Sequence, residues 1–243
     1  MRKYRKVVSV IVLLLILVNL SGCFLTDSFV RQVVSRMELK KKYGEDFIMK
    51  YEWRYRGLIQ VMCSPYHDQS ITFMARFYKD GELARDTYTE SVVGKQIQER
   101  LTPILQEISD EVYIQPTLKT HDLVYSNMDE ITIENYSEFT KDNKGRVRVY
   151  FNKERLKETD PKDEYKLFQE IVEYEVPCIE AISIFFIDKK TLDEVRLFYQ
   201  EHDDGDSRIN DMVTKDEMIH IYYGDEGVKI SCEEYCKKRQ KIY

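Results

Sequence analysis

Apolar residues follow two periods along this chain. After Thr26, Asp27 and Ser28, the residues Phe29, Val30, Val33, Val34 and Met37 recur at the spacing of one helix face. Lys40, Lys41 and Lys42 put cations in its last turn, and Gly44 ends it. The period then falls to two. Tyr51, Trp53 and Tyr55 alternate with Glu52, Arg54 and Arg56, Gly57 interrupts, and Leu58 to Cys63 resumes the extended pattern. Ser64 to Asp68 reads as a loop. Ile71, Phe73, Ala75 and Phe77 share one side of a third strand, and Asp80-Gly81 signals a hairpin into Glu82 to Tyr88. Val93, Ile97, Leu101, Ile104, Leu105 and Ile108 form the stripe of a second helix, which Pro103 is expected to kink or split. Residues 26–110 thus predict an α+β layer, an antiparallel sheet with helices on one face.

The remainder mixes the two periods. Val112 to Leu118 suits a strand, Ile131 to Phe139 suits neither period, and Lys141 to Gly145 is a turn before the strand Arg146 to Phe151. Asp160-Pro161 is an N-cap with proline at the first helical position, and Tyr165, Phe168, Ile171 and Val172 give that helix its apolar face up to Pro177. Ile179 to Ile187 is almost wholly apolar, as a strand covered on both faces would be. Thr191 with Glu194 fits a capping box over Thr191 to Gln200. Met218 to Tyr223 and Val228 to Ser231 frame a hairpin around Gly224 to Gly227. Ser231 with Glu234 then opens a last, basic helix. This block, 111–243, forms a second mixed sheet or extends the first.

The leader follows a third pattern. Arg2, Lys3, Arg5 and Lys6 precede an apolar run from Val7 to Val18, and Leu20-Ser21-Gly22-Cys23 follows. A basic head, a short apolar run and small residues at a cut site describe a secretory signal peptide over 1–22. Leu20, Ser21, Gly22 and Cys23 resemble the lipobox of bacterial lipoproteins. The resemblance implies cleavage before Cys23 and a diacylglycerol on its sulfur. It places the body on the extracytoplasmic face of the cell membrane. Two acyl chains, such as palmitate, would hold firmly, since each buried methylene adds about 0.8 kcal/mol and one chain alone is marginal. An uncleaved anchor is the other reading, but a spanning helix needs about 20 apolar residues and Asn19, Ser21 and Gly22 interrupt this one. Lys42-Tyr43-Gly44-Glu45-Asp46-Phe47 resembles a run common in small uncharacterised lipoproteins of low-GC Gram-positive bacteria, and the order of elements in 23–110 loosely resembles cystatin-like folds.

Loss of the leader would shorten the chain from 243 to 221 residues and, with four basic residues gone, move its net charge from −6 to −10. That balance disfavours nucleic acid as a partner, because such binding relies on Lys and Arg neutralising phosphates. Besides Cys23 there are Cys63, Cys178, Cys232 and Cys236. An exported compartment permits disulfides. Free or half-buried thiols are the favoured reading, and no second Cys or His pair completes a zinc site.

Candidate chemistry is sparse. His67-Asp68, His121-Asp122 and His202-Asp203 suggest a metal-dependent phosphohydrolase, but they fall in predicted loops, where Asp forms turns. Asp203-Asp204-Gly205-Asp206 fails the EF-hand spacing. Tyr51, Trp53 and Tyr55 could stack on sugars, although alternating aromatics are usually the core face of a sheet. No nucleophile elbow, S-x-x-K box, P-loop or dinucleotide fingerprint occurs. The expectation is a non-catalytic lipoprotein, with no metal and no cofactor, that binds an unknown protein of the cell envelope. The alternatives are a solute-binding lipoprotein of an importer and, after it, a small envelope hydrolase.

Overall fold

The computed structural model describes residues 32–118, 131–136, 144–201, 209, 212–213, 218–224, 227–228 and 230–242. The protein is α+β, with an antiparallel four-stranded sheet followed by a mixed five-stranded sheet. The chain divides into two compact units. Among the described residues, the first holds 32–69 and Ala75–Asp86; the second holds Ser70–Met74 and those from Thr87 onward.

In the first unit, helix α1 (residues 32–43) ends as its sequence dictates. Gly44 takes φ 77° and its N–H returns to the Lys40 carbonyl at 2.8 Å, a left-handed cap that glycine adopts without a Cβ clash. Strands β1 (Phe47–Tyr55), β2 (Leu58–Pro65), β3 (Phe73–Phe77) and β4 (Leu83–Asp86) follow in that spatial order. Arg56 and Gly57 both have positive φ, as a tight primed hairpin turn requires. The β3–β4 turn carries Gly81 at φ 93°, where a Cβ would lie 2.6 Å from Val34 Cγ1 of α1. Asp86, at the end of β4, binds α1 twice: Lys42 Nζ at 2.7 Å and the Tyr43 hydroxyl at 2.5 Å.

The second unit is built on β5 (Val112–Thr117), β6 (Gly145–Asn152), β7 (Ile179–Ile187), β8 (Met218–Gly224) and β9 (Gly227–Val228), paired in that order. Among the described strands of this sheet only β6 and β7 run parallel, so a crossover must join them. It contains α3 (Pro161–Glu170), which passes into a π-turn at Ile171–Glu175. Helices α2 (Tyr88–Leu105), α3 and α5 (Cys232–Gln240) cover one sheet face. There Val93, Ile97, Leu101 and Leu105 of α2, Phe168 of α3 and Tyr235 of α5 share a core with Val147, Val149, Phe151, Ile182, Ile184 and Phe186. Helix α4 (Lys189–Glu201) covers the other, setting Leu192, Val195, Phe198 and Tyr199 against Tyr150, Phe185 and Ile187. Strand β7 is therefore buried on both faces, which accounts for its unbroken apolar run.

Four expectations change. Helix α2 belongs to the second unit rather than to the first strands, because it packs along β5 and its stripe shares the core of the second sheet. Pro103 does not split it, since the helix runs unbroken from Tyr88 to Leu105 with Pro103 inside it. Helix α4 begins before Thr191: Asp188 Oδ1 accepts the Thr191 N–H at 2.8 Å and is the cap. Most consequentially, the Tyr51 and Trp53 row is not a core face. Tyr51 is 67% and Trp53 36% exposed.

Candidate functional site

Strand β1 lies at the edge of the first sheet. Lys50 sits in a bulge between the pairs Met49–Cys63 and Tyr51–Met62, and from Lys50 to Arg54 both faces of the strand are exposed. Bulges and edge lysines discourage casual strand pairing. Beyond the bulge the ladder to β2 is regular from Tyr51 to Tyr55. The arm thus presents Tyr51 and Trp53 on one face, and Glu52 and Arg54 on the other. Lys50, Arg54 and Arg56 against Glu52 make it basic, on a chain whose net charge is −6. Aromatic and arginine side chains together are the usual anchors of protein interfaces.

The second unit contains a buried ionic cluster. Glu164 of α3 and Arg239 of α5 are fully enclosed, with side chains 1% and 0% exposed. Arg239 grips the carboxylate in two places, Nε to Oε2 at 2.8 Å and Nη2 to Oε1 at 3.0 Å. The Tyr235 hydroxyl donates to Oε2 at 2.8 Å, and the Thr159 hydroxyl donates to Oε1. The guanidinium carbon lies 4.6 Å from the centre of the Phe186 ring. Burial, then the Glu164 charge, pushes the Tyr235 phenol well above its ordinary value. A groove of about 250 Å³ opens alongside, lined by Glu107, Ile108, Thr159, Asp163, Glu164, Lys166, Leu167 and Glu170. Every carboxylate oxygen of Glu164 is already engaged, so the cluster works as a latch between α3 and α5.

On the edge of the same unit, Glu111 gathers an ion network. Its Oε2 accepts from Asn152 Nδ2 at 2.8 Å, and its Oε1 faces Lys189 and Arg196, each at 3.0 Å. The Asn152 bond first, then those to Lys189 and Arg196, hold the Glu111 carboxyl at about 2, below its usual 4.5. A carboxylate depressed in the folded state stabilises above its unfolded value, and that contribution is lost as pH falls. The wild-type unfolding midpoint should therefore drop between about pH 4.5 and 2. Glu111→Gln should flatten that part of the pH profile; a parallel profile in the variant would refute the assignment.

The sequence-predicted sites scatter. Leu20, Ser21, Gly22 and Cys23 lie outside the described residues, as do His121-Asp122, His202-Asp203 and Asp203 to Asp206. His67 is 65% exposed and pairs with Glu45 at 2.7 Å. It forms no catalytic couple with Cys63, which is buried and directs its thiol to the Val61 carbonyl at 3.7 Å. Burial pushes the Cys63 and Cys178 thiols up to about 12. All four described cysteines are free, and Cys232 and Cys236 stand one turn apart with sulfurs 4.0 Å from each other. Among the described residues no group of three or more His, Cys, Asp or Glu is arranged to hold a metal. The Glu164–Arg239 latch gave no local signal; its trace in the sequence is Tyr235 and Arg239, four apart on a helix that otherwise reads as a solvated basic end.

The fold is similar to that of a solved DUF5037 family protein from Ruminococcus gnavus ATCC 29149. The TM-score is 0.68 at 17% identity, over 86% of this chain and 98% of that one. At that identity the likeness concerns the fold alone. No protein-family model and no curated protein matches the chain.

Proposed function

We propose that this chain is a lipid-tethered, extracytoplasmic, non-catalytic binding module, held to the cell membrane through Cys23 and contacting an envelope protein through the β1 edge. One observation carries the contact surface: an aromatic and basic edge strand, exposed on both faces, in an otherwise acidic protein. The tether rests on the basic head, apolar run and Leu20-Ser21-Gly22-Cys23 of the leader. No helix among the described residues is long and apolar enough to cross a membrane. The charge of the arm fits a partner with an acidic, extended segment that lies along β1 and completes its backbone hydrogen bonds.

Site-specific photo-crosslinking in intact cells tests this directly. A photoreactive residue at Tyr51 or Trp53 should capture one envelope protein. The same residue at Tyr66 or Tyr174, which are 70% and 73% exposed, should not. Cys23→Ala should release the protein from the membrane and abolish the adduct. Equal adducts at all four positions would overturn the contact surface, and a membrane-bound, uncut Cys23→Ala protein would overturn the tether. Trp53 is the only tryptophan in the chain, so its fluorescence reports engagement of the purified partner. Trp53→Ala should weaken that binding by about 2 kcal/mol or more, as a central aromatic anchor does.

A further inference from the structure

The geometry points to the Cys232–Cys236 pair as a binding site for one soft, monovalent, two-coordinate cation, of the class of Cu(I) and Ag(I). The two residues occupy successive turns at the start of α5, their sulfurs 4.0 Å apart, both half-buried and both free.

A disulfide does not suit this frame. Residues four apart on a helix hold their Cβ atoms about 5–6 Å apart, whereas a disulfide needs about 3.5–4.5 Å. A bridging ion does suit it. Two metal–sulfur bonds of about 2.3 Å span the observed separation at an S–M–S angle of about 120°. Widening the pair by about 0.5 Å straightens that angle towards linear, within the reach of a cysteine side-chain rotation on a rigid helix. Ligand number then selects the ion. Zinc wants four ligands, and no third His, Cys, Asp or Glu is grouped with this pair among the described residues. Asp160, near Cys236, is committed as the N-cap of α3, accepting the Lys162 N–H at 2.8 Å. Both sulfurs pack against the apolar core, a setting that favours weakly hydrated ions bound by soft thiolates.

The charges agree. Two thiolates with sulfurs 4.0 Å apart would repel. A cation between them reverses the sign of that interaction. Binding breaks two S–H bonds, forms two metal–sulfur bonds and releases two protons to solvent; no electrons are transferred.

The test is anaerobic titration of the full chain with Cu(I) against a chromophoric Cu(I) chelator. It is read together with site-resolved alkylation of each cysteine by mass spectrometry. One equivalent should be taken up, with Cys232 and Cys236 protected and Cys63 unaffected by the metal. Cys232→Ser and Cys236→Ser should each weaken binding by more than the ten- to hundredfold that loss of an outer-shell partner costs. Cys178→Ser should bind as wild type. The alkylation pattern needs no variant, so a misfolded substitution does not blunt the result. Unprotected Cys232 and Cys236 at one equivalent of Cu(I), or equal affinity in Cys232→Ser, would overturn the site. So would equal protection by Zn(II).

Discussion

Arg239→Met is expected to unfold at markedly lower denaturant than wild type, a loss of about 3–5 kcal/mol. The substitution keeps the volume and the stem of the side chain but removes the cation that faces Glu164 at 2.8 and 3.0 Å. The carboxylate is then left 1% exposed with only hydroxyl donors from Tyr235 and Thr159. The cost arises from stranding a buried charge, not from the attraction alone. The double variant Glu164→Met with Arg239→Met should therefore be more stable than Arg239→Met by itself, because apolar replacement of a whole buried pair is often close to neutral. Recovery should be incomplete, since the buried Tyr235 hydroxyl loses its acceptor and a buried orphan costs about 1–3 kcal/mol; the half-buried Thr159 hydroxyl still reaches the Lys157 carbonyl at 3.5 Å. Urea midpoints at constant m-value measure all three. A loss under about 1 kcal/mol for Arg239→Met would mean that water reaches the pair, and that α5 is not latched by it.

The features legible in the sequence are those whose causes are local. Asp160-Pro161 opens α3 because a side-chain oxygen reaches the Lys162 N–H two residues on. Ser231 opens α5 by accepting the Glu234 N–H at 3.2 Å. Asp80 stabilises its turn by accepting from the Glu82 N–H at 3.1 Å. The apolar run of β7 announces burial on both faces because it needs no knowledge of what covers it. Features fixed by long-range packing were not legible. Period two in Tyr51 to Tyr55 assigns those aromatics to one face, yet nothing local says whether a layer covers that face. Tyr51 and Trp53 are exposed, and that depends on what packs over their face of the sheet, which the local pattern does not carry. The capping of α4 turned on a choice between Asp188 and Thr191, three residues apart, each chemically competent. Glu164 and Arg239 meet across 75 positions of sequence; on its own helix Arg239 looks like any cation near a C-terminus. The candidate contact surface was thus visible in its residues and misread in its environment.

Phe186→Ala should cost about as much as losing the latch, about 3–5 kcal/mol. The ring is fully buried at the centre of the larger core. It stacks on Phe151 with centroids 5.4 Å apart and lies under the Arg239 guanidinium at 4.6 Å. Truncation removes the transfer free energy of a phenyl group and leaves a cavity that a close-packed sheet–helix interface cannot collapse. It also removes the ring face that shields the cation, an interaction of about 2 kcal/mol when desolvated. A domain of this size has about 5–15 kcal/mol in total, so the variant retains a folded state with little reserve. Phe186→Leu, which refills most of the volume but has no π face, separates the two terms and should lose clearly less. The decisive comparison is the pair of Phe186→Ala and Arg239→Met made together. Because the ring and the guanidinium are in contact, their costs should not add: the double variant should fall short of the sum by about 0.5–3 kcal/mol. Strict additivity would show that Phe186 fills space without holding Arg239 in place. The Arg239 guanidinium would then be placed by Glu164 with no contribution from the ring.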